Sequence, residues 1–164
     1  THVCRIDQTQ LPANRFTIVT SLAGLHHVQD RNEIFKEWRR LLKKAGQCVV
    51  ADVGSDTATG FFLNSFVDRY CPGGHKGLFF EPGEFTSLFT AHNFKTVSEQ
   101  LQTVAWRFSN RSEMGTFCKS LFGLEGITAE YVARGLEEIV GTQESDHGQI
   151  DLQWQLRYAK GIAQ

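Results

Sequence analysis

The pattern of apolar and polar positions is clearest between Phe16 and Asp52, FTIVTSLAGLHHVQDRNEIFKEWRRLLKKAGQCVVAD. Phe16 to Leu22 is a continuous apolar and β-branched run, which predicts a strand buried on both faces. Asp30 suits an N-cap, and Glu33, three residues on, completes a capping box. Ile34, Phe35, Trp38, Leu41 and Leu42 then share one helical face, with Lys36, Glu37, Arg40, Lys43 and Lys44 off it. Gly46 is placed to end that helix in the left-handed conformation, and Gln47 to Val53 predicts a second buried strand. Strand, helix, strand is a βαβ unit, and its two strands run parallel.

Elsewhere the pattern predicts more of the same kind. Thr57 to Tyr70 is helical, with Leu63, Phe66, Val67 and Tyr70 on one face. Cys71 to Gly77 is a loop by its Pro and Gly content, a plain connection in preference to a lid that turns His75 inward. Pro82 opens a helix carrying Phe85, Leu88 and Phe89, and Asn93 ends it in the left-handed region. Residues 95–108 form a long strand whose apolar phase changes, so a bulge or break is predicted near Gln102. Residues 112–123 are helical, with Met114, Phe117, Cys118 and Leu121 on one side. Thr128 caps a further helix, with Ile127 and Val132 spaced as a hydrophobic staple and Gly141 at its end. Gly141 to Gln149 is a polar loop. Ile150, Leu152, Trp154, Leu156 and Tyr158 alternate with polar residues, as in an antiparallel strand with one wet face.

Ligands of open α/β sheets sit outside the carboxyl ends of the strands. Here those ends are Ser21 to His27 after the first strand and Asp52-Val53-Gly54 after the second. A histidine can serve as a general base near neutral pH, so His26 and His27 are candidates, each with a structural loop role as the alternative. The lead, apolar from Val3 to Ile6, places Asp7 at the start of a polar loop ending at Leu11-Pro12. Asp7 suits either an N–H donor of a ligand or the capping of its own turn.

The series LP…FTIVTSLAGLHHVQD…EWRRLLKKAGQCVVADV resembles the fourth strand, following helix and fifth strand of class I S-adenosylmethionine-dependent methyltransferases, in particular their small-molecule, type 11-like branch. EPGEFTSLFTAHNF resembles the family's helix before strand six. The resemblance implies an α/β fold, a partial Rossmann-like methyltransferase sheet of strands four to seven near 16–22, 47–53, 95–108 and 149–159. It also implies helices on both faces and a helical insertion over 111–141 that covers substrate. It implies S-adenosylmethionine as cofactor, with Asp7 accepting from the adenine amino group between Ile6 and Gln8. Backbone at Ser21 and Leu22 would contact the cofactor's amino acid moiety. His27 falls beside the transferable methyl as the catalytic candidate, and His26 faces the helix or solvent. The family's Gly-rich loop is missing, since no G-x-G-x-G occurs. The chain thus reads as a carboxyl-terminal fragment that alone binds cofactor weakly or not at all.

Composition narrows the remaining classes. One domain with a real core is expected from 164 residues, 41% of them hydrophobic. A formal net charge of -1 gives no electrostatic case for nucleic acid or an anionic membrane. Cys4, Cys48, Cys71 and Cys118 form no C-x-x-C pair, so neither a metal site nor a disulfide framework is expected, which fits a cytoplasmic setting. Thirteen Phe read as an aromatic core before they read as a substrate pocket.

The function expected is methyl transfer to a small molecule. The alternative is a non-catalytic methyltransferase-like binding or dimerisation module. Without a strand on its far side, 16–22 is an edge with no charge and no Pro, so a homodimer through this strand is expected.

Overall fold

In the computed structural model, which describes residues 4–145 and 148–164, strand β1 (Phe16–Leu22) pairs in parallel with β2 (Leu42–Asp52). Val3, and part of the loop expected over 141–149, lie outside the described residues. The chain is α/β, with sheet order β1-β2-β5-β3, where β3 is Phe94–Phe108 and β5 is Ile150–Ala163. Its contacts fall into two compact units, one of residues 1–52, 78–101 and 157–164, the other of residues 53–77 and 102–156.

In the first unit, helix α1 (Asn32–Leu41) turns Ile34, Phe35, Trp38 and Leu41 into the core. Four expectations change here. The Asp30 carboxylate takes the Asn32 N–H at 3.0 Å, but Glu33 pairs with Lys36 rather than closing a capping box. Glu37 is buried rather than solvated. It accepts from Thr9 N and Oγ1 and from the Arg40 guanidinium, which together offset the cost of burying a charge. The helix stops at Leu41, and Lys43 and Lys44 lie in β2. The β1–β2 register jumps from Phe16↔Leu42 to Ile18↔Gln47, so Lys43 to Gly46 bulge from the ladder. Ala45, not Gly46, takes the left-handed conformation at φ 62°. Gly46 is needed for space, because a Cβ there would stand 2.9 Å from the Lys43 carbonyl oxygen.

Helix α4 (Glu84–Ala91) completes this core with Phe85, Leu88 and Phe89. Phe35 packs on Phe89 and Trp38 with ring centroids 5.4 and 5.1 Å apart, and Phe80 stacks on Phe85 at 4.0 Å. Pro82 precedes the helix, and Gly83 at φ 83° leads into it. Asn93 is left-handed, at φ 58°, as its sequence position suggested. Strand β1 ends the sheet order. It is not buried on both faces: Ile18 is 52% and Leu22 69% exposed.

In the second unit, Thr57 caps α2 (Ala58–Phe62), its Oγ1 accepting from Gly60 N at 3.0 Å. The helix continues through a π turn (Leu63–Val67) into α3 (Asp68–Tyr70). The loop after it is tied to the helix: Asp68 accepts from His75 N at 2.7 Å and Asn64 from Gly77 N at 2.7 Å. Helices α5 (Arg111–Leu121) and α6 (Ala129–Ile139) pack closely at Gly115, where a Cβ would lie 2.2 Å from the Ala129 carbonyl oxygen. Thr128 caps α6 by accepting from Tyr131 N at 3.1 Å. Met114 and Cys118 are buried as expected, whereas Phe117 and Leu121 are exposed. A short strand β4 (Thr142–Glu144) pairs with Ile150 to Leu152 of β5, inside the stretch expected to be loop.

One long strand, β5, changes phase where the chain passes from one unit to the other. Strand β3 is continuous through Gln102, with no break, and the units divide between Leu101 and Gln102. Strand β5 buries Ile150, Leu152, Trp154 and Leu156, then switches, and Arg157, Ala159 and Ala163 are buried instead. Arg157 was expected on the wet face. It is 6% exposed, its guanidinium 3.7 Å from Glu99, and Tyr158 is the half-buried neighbour.

Candidate functional site

The carboxyl ends of β1 and β2 lie side by side, because parallel pairing sets Ser21 opposite Val50 and Leu22 opposite Ala51. The chain leaving β1 turns sharply. Ala23 donates its N–H to the Ala51 carbonyl at 2.8 Å and takes φ 48°. Residues Leu25–His27 then form a single 3-10 turn.

Asp52, the last residue of β2, holds this turn. Its carboxylate is fully buried. One oxygen, Oδ2, accepts the N–H of Gly24 at 3.0 Å and of Leu25 at 2.7 Å. The other, Oδ1, lies 2.5 Å from His26 Nδ1. Arg157 of β5 stands opposite Asp52 in the antiparallel register. A buried carboxylate is costly unless charge-assisted hydrogen bonds satisfy it, and here three groups of one turn do so.

His26 is therefore buried against Asp52 and does not face the helix or solvent. His27 is exposed, its ring centroid 4.1 Å from that of His26. Partial burial of the ring lowers the His27 pKa from its ordinary value, the His26 imidazole lowers it further, and Asp52 opposes both. A lowered pKa keeps His27 unprotonated near neutral pH, the state a proton acceptor needs.

The amino-terminal candidates occupy a separate tight turn. Gln8 N donates to the Arg5 carbonyl at 3.2 Å, which closes a loop around Ile6 and Asp7. Ile6 and Gln8 are exposed. The Arg5 guanidinium grips both oxygens of Asp7, at 3.0 and 2.7 Å, and holds its carboxyl below the usual carboxylate range. An ionised carboxylate has about four lone-pair sites, so Asp7 retains acceptor capacity for a further N–H. Thr9 and Leu11 anchor this turn to α1 through Glu37 and Arg40.

The sequence had marked Ser21, Leu22, His26, His27 and Asp52 by their place at strand ends. It gave no sign that Asp52 and His26 are partners, since they stand 26 residues apart on different elements.

Residues 1–50 match the model of a family described as a methyltransferase domain. No curated protein matches the sequence. Among solved structures, a proposed methyltransferase of Bacillus halodurans C-125 aligns with a TM-score of 0.60 at 16% identity, covering 97% of this chain and 69% of its own. The YcgJ protein of Bacillus subtilis aligns at 0.59 with 17% identity, covering 97% of this chain and 68% of its own. Phosphoethanolamine N-methyltransferase 2 of Haemonchus contortus, solved with phosphomonomethylethanolamine and S-adenosylhomocysteine, aligns at 0.56 with 11% identity, over 98% of this chain and 36% of its own. The chain thus has the fold of the class I S-adenosylmethionine-dependent methyltransferases, and its opening residues match their methyltransferase domain.

Proposed function

We propose that the site transfers a methyl group from S-adenosylmethionine to a small-molecule acceptor. The observation that carries this reading is the turn between β1 and α1, fixed by Asp52 at the carboxyl ends of two parallel strands, in a chain with the methyltransferase fold. Such a strand-end position is where α/β sheets bind their ligands.

The residues present fit the adenine end of the cofactor, because Asp7 is an ionised acceptor in a tight turn flanked by Ile6 and Gln8. Backbone at Ser21 and Leu22 would hold its amino acid moiety. When bound, the cofactor supplies a methyl group activated on a sulfonium sulfur. The protein's part is alignment and proton management. His27 accepts at an imidazole nitrogen the proton that an N–H or O–H acceptor loses on methylation. Methyl transfer with labelled S-adenosylmethionine, over a panel of small amines, phenols and acids, tests the reading. In a version of the protein that also carries a Gly-rich cofactor loop, label is expected in a small product, and Asp7→Ala is expected to raise the cofactor requirement while the fold persists. Label found only on protein or nucleic acid would contradict the small-molecule assignment.

The exposed edge favours a second role. Strand β1 ends the sheet order and carries no charge and no Pro, and Ile18 and Leu22 project into solvent. Such an edge is a template for further pairing. We propose that a second copy of the chain occupies it, as a dimerisation surface that serves an enzyme or a non-catalytic module equally well.

A further inference from the structure

We propose that Asp52 is a positioning residue for the histidine turn: it fixes His26 as the Nδ1–H tautomer and, through the packed imidazoles, holds His27 where it accepts a proton. This rests on the methyl-transfer reading for its chemistry but not for its geometry.

The geometry begins with the carboxylate. Its Oδ2 faces the N–H groups of Gly24 and Leu25, which can only donate. The carboxylate is thus an acceptor on that side, and Oδ1, 2.5 Å from His26 Nδ1, completes the set by accepting Nδ1–H. A carboxylate that binds one imidazole nitrogen sets both ring orientation and tautomer, and it leaves the lone pair of the neutral ring on Nε2. The ring has little freedom to move away. His26 is buried, its centroid 5.7 Å from that of Phe79, and its carbonyl accepts the Leu78 N–H at 2.8 Å. His27 follows directly in the chain and packs on this immobilised ring at 4.1 Å. The two histidines therefore divide the work. His26 is the fixed wall of the turn, and His27 is the exposed proton acceptor.

Asp52 does more than brace the backbone, and a near-isosteric change separates the two roles. In Asp52→Asn the amide oxygen still accepts from Gly24 and Leu25, so the turn survives. The amide NH2 now faces Nδ1, which must become an acceptor, and the His26 proton moves to Nε2. Two- and three-bond proton–nitrogen correlation spectra of the 164-residue chain read this directly, at a pH where the ring carries one proton. In the unmodified chain His26 is expected to show a protonated Nδ1 and a bare Nε2. In Asp52→Asn the pattern is expected to reverse, with the Gly24 and Leu25 amide signals little moved.

A bare Nδ1 in the unmodified chain would overturn the proposal without need of any variant. So would a folded Asp52→Asn protein with an unchanged tautomer. In the methyl-transfer assay Asp52→Asn is expected to lower kcat by about tenfold or more at an unchanged KM for cofactor. A reversed tautomer with full kcat would show that Asp52 does not position the chemistry. The expected tautomers with no methyl transfer by the unmodified protein would instead count against the functional reading alone.

Discussion

Asp52 Oδ1 lies 2.5 Å from His26 Nδ1, so the end of one strand and the turn after its parallel neighbour are joined by a buried pair. That contact makes the two adjacent histidines unequal. His26→Ala removes a buried ring and leaves Asp52 short of a donor, and it is expected to cost more stability than His27→Ala. For turnover the order reverses, and His27→Ala is expected to be the slower variant. Thermal melts beside initial rates check both. Equal, small rate effects would show that neither histidine takes the proton.

The same relationship sets a pH dependence. The His27 pKa is lowered from 6.5, by burial first and by His26 second. A base works in its unprotonated form, so turnover is expected to be full above that lowered pKa and to fall as pH drops through it. A rate profile whose acid limb lies above 6.5 would contradict this assignment.

Glu37 gives a stability signature of its own. Arg40 first, then Thr9, holds its carboxyl at about 2, against an ordinary 4.5. The unfolded chain binds the proton more readily, so stability rises with pH over that interval. The Glu37 contribution is complete above about 4.5 and is lost as pH falls towards about 2. Denaturant unfolding between those limits is expected to show a shallower acid loss in Glu37→Gln than in the unmodified chain.

Thiol reactivity follows burial. Cys48 and Cys118 are buried, and burial pushes each thiol up to about 12, while Cys4 is exposed. The thiolate is the reactive form. A disulfide reagent at neutral pH is expected to modify Cys4 at once, and to reach Cys48 and Cys118 only on unfolding.

Strand β1 is expected to self-associate. Light scattering at micromolar concentration is expected to report a dimer, and Ile18→Lys, which places a charge on the exposed face of the edge strand, a monomer. A monomer in the unmodified chain would remove the edge-pairing proposal.

Much of this fold was legible because it depends on local pattern. The apolar run of Phe16 to Leu22, the periodicity of Ile34, Phe35, Trp38 and Leu41, and the cap Thr128 all form in place. What escaped depends on long-range contact. Glu37 looked solvated because nothing in its own helix announces Thr9. Arg157 looked exposed because strict alternation hides the phase switch that brings it to Glu99. Ala45 took the left-handed position in place of Gly46 because the bulge, not helix termination, sets that turn. In the site, position alone marked Asp52 and His27, and only the folded chain joins Asp52 to His26.

The most direct test of the methyl-transfer account is where S-adenosylmethionine touches the chain. Amide chemical shifts are followed during titration to millimolar cofactor, in a version of the chain that also carries a Gly-rich cofactor loop. The expected result is movement confined to Ile6, Asp7 and Gln8, to Ser21 and Leu22, and to the turn from Gly24 to His27, with the first group lost in Asp7→Ala. No movement at these residues at millimolar cofactor, or movement only elsewhere, would contradict it.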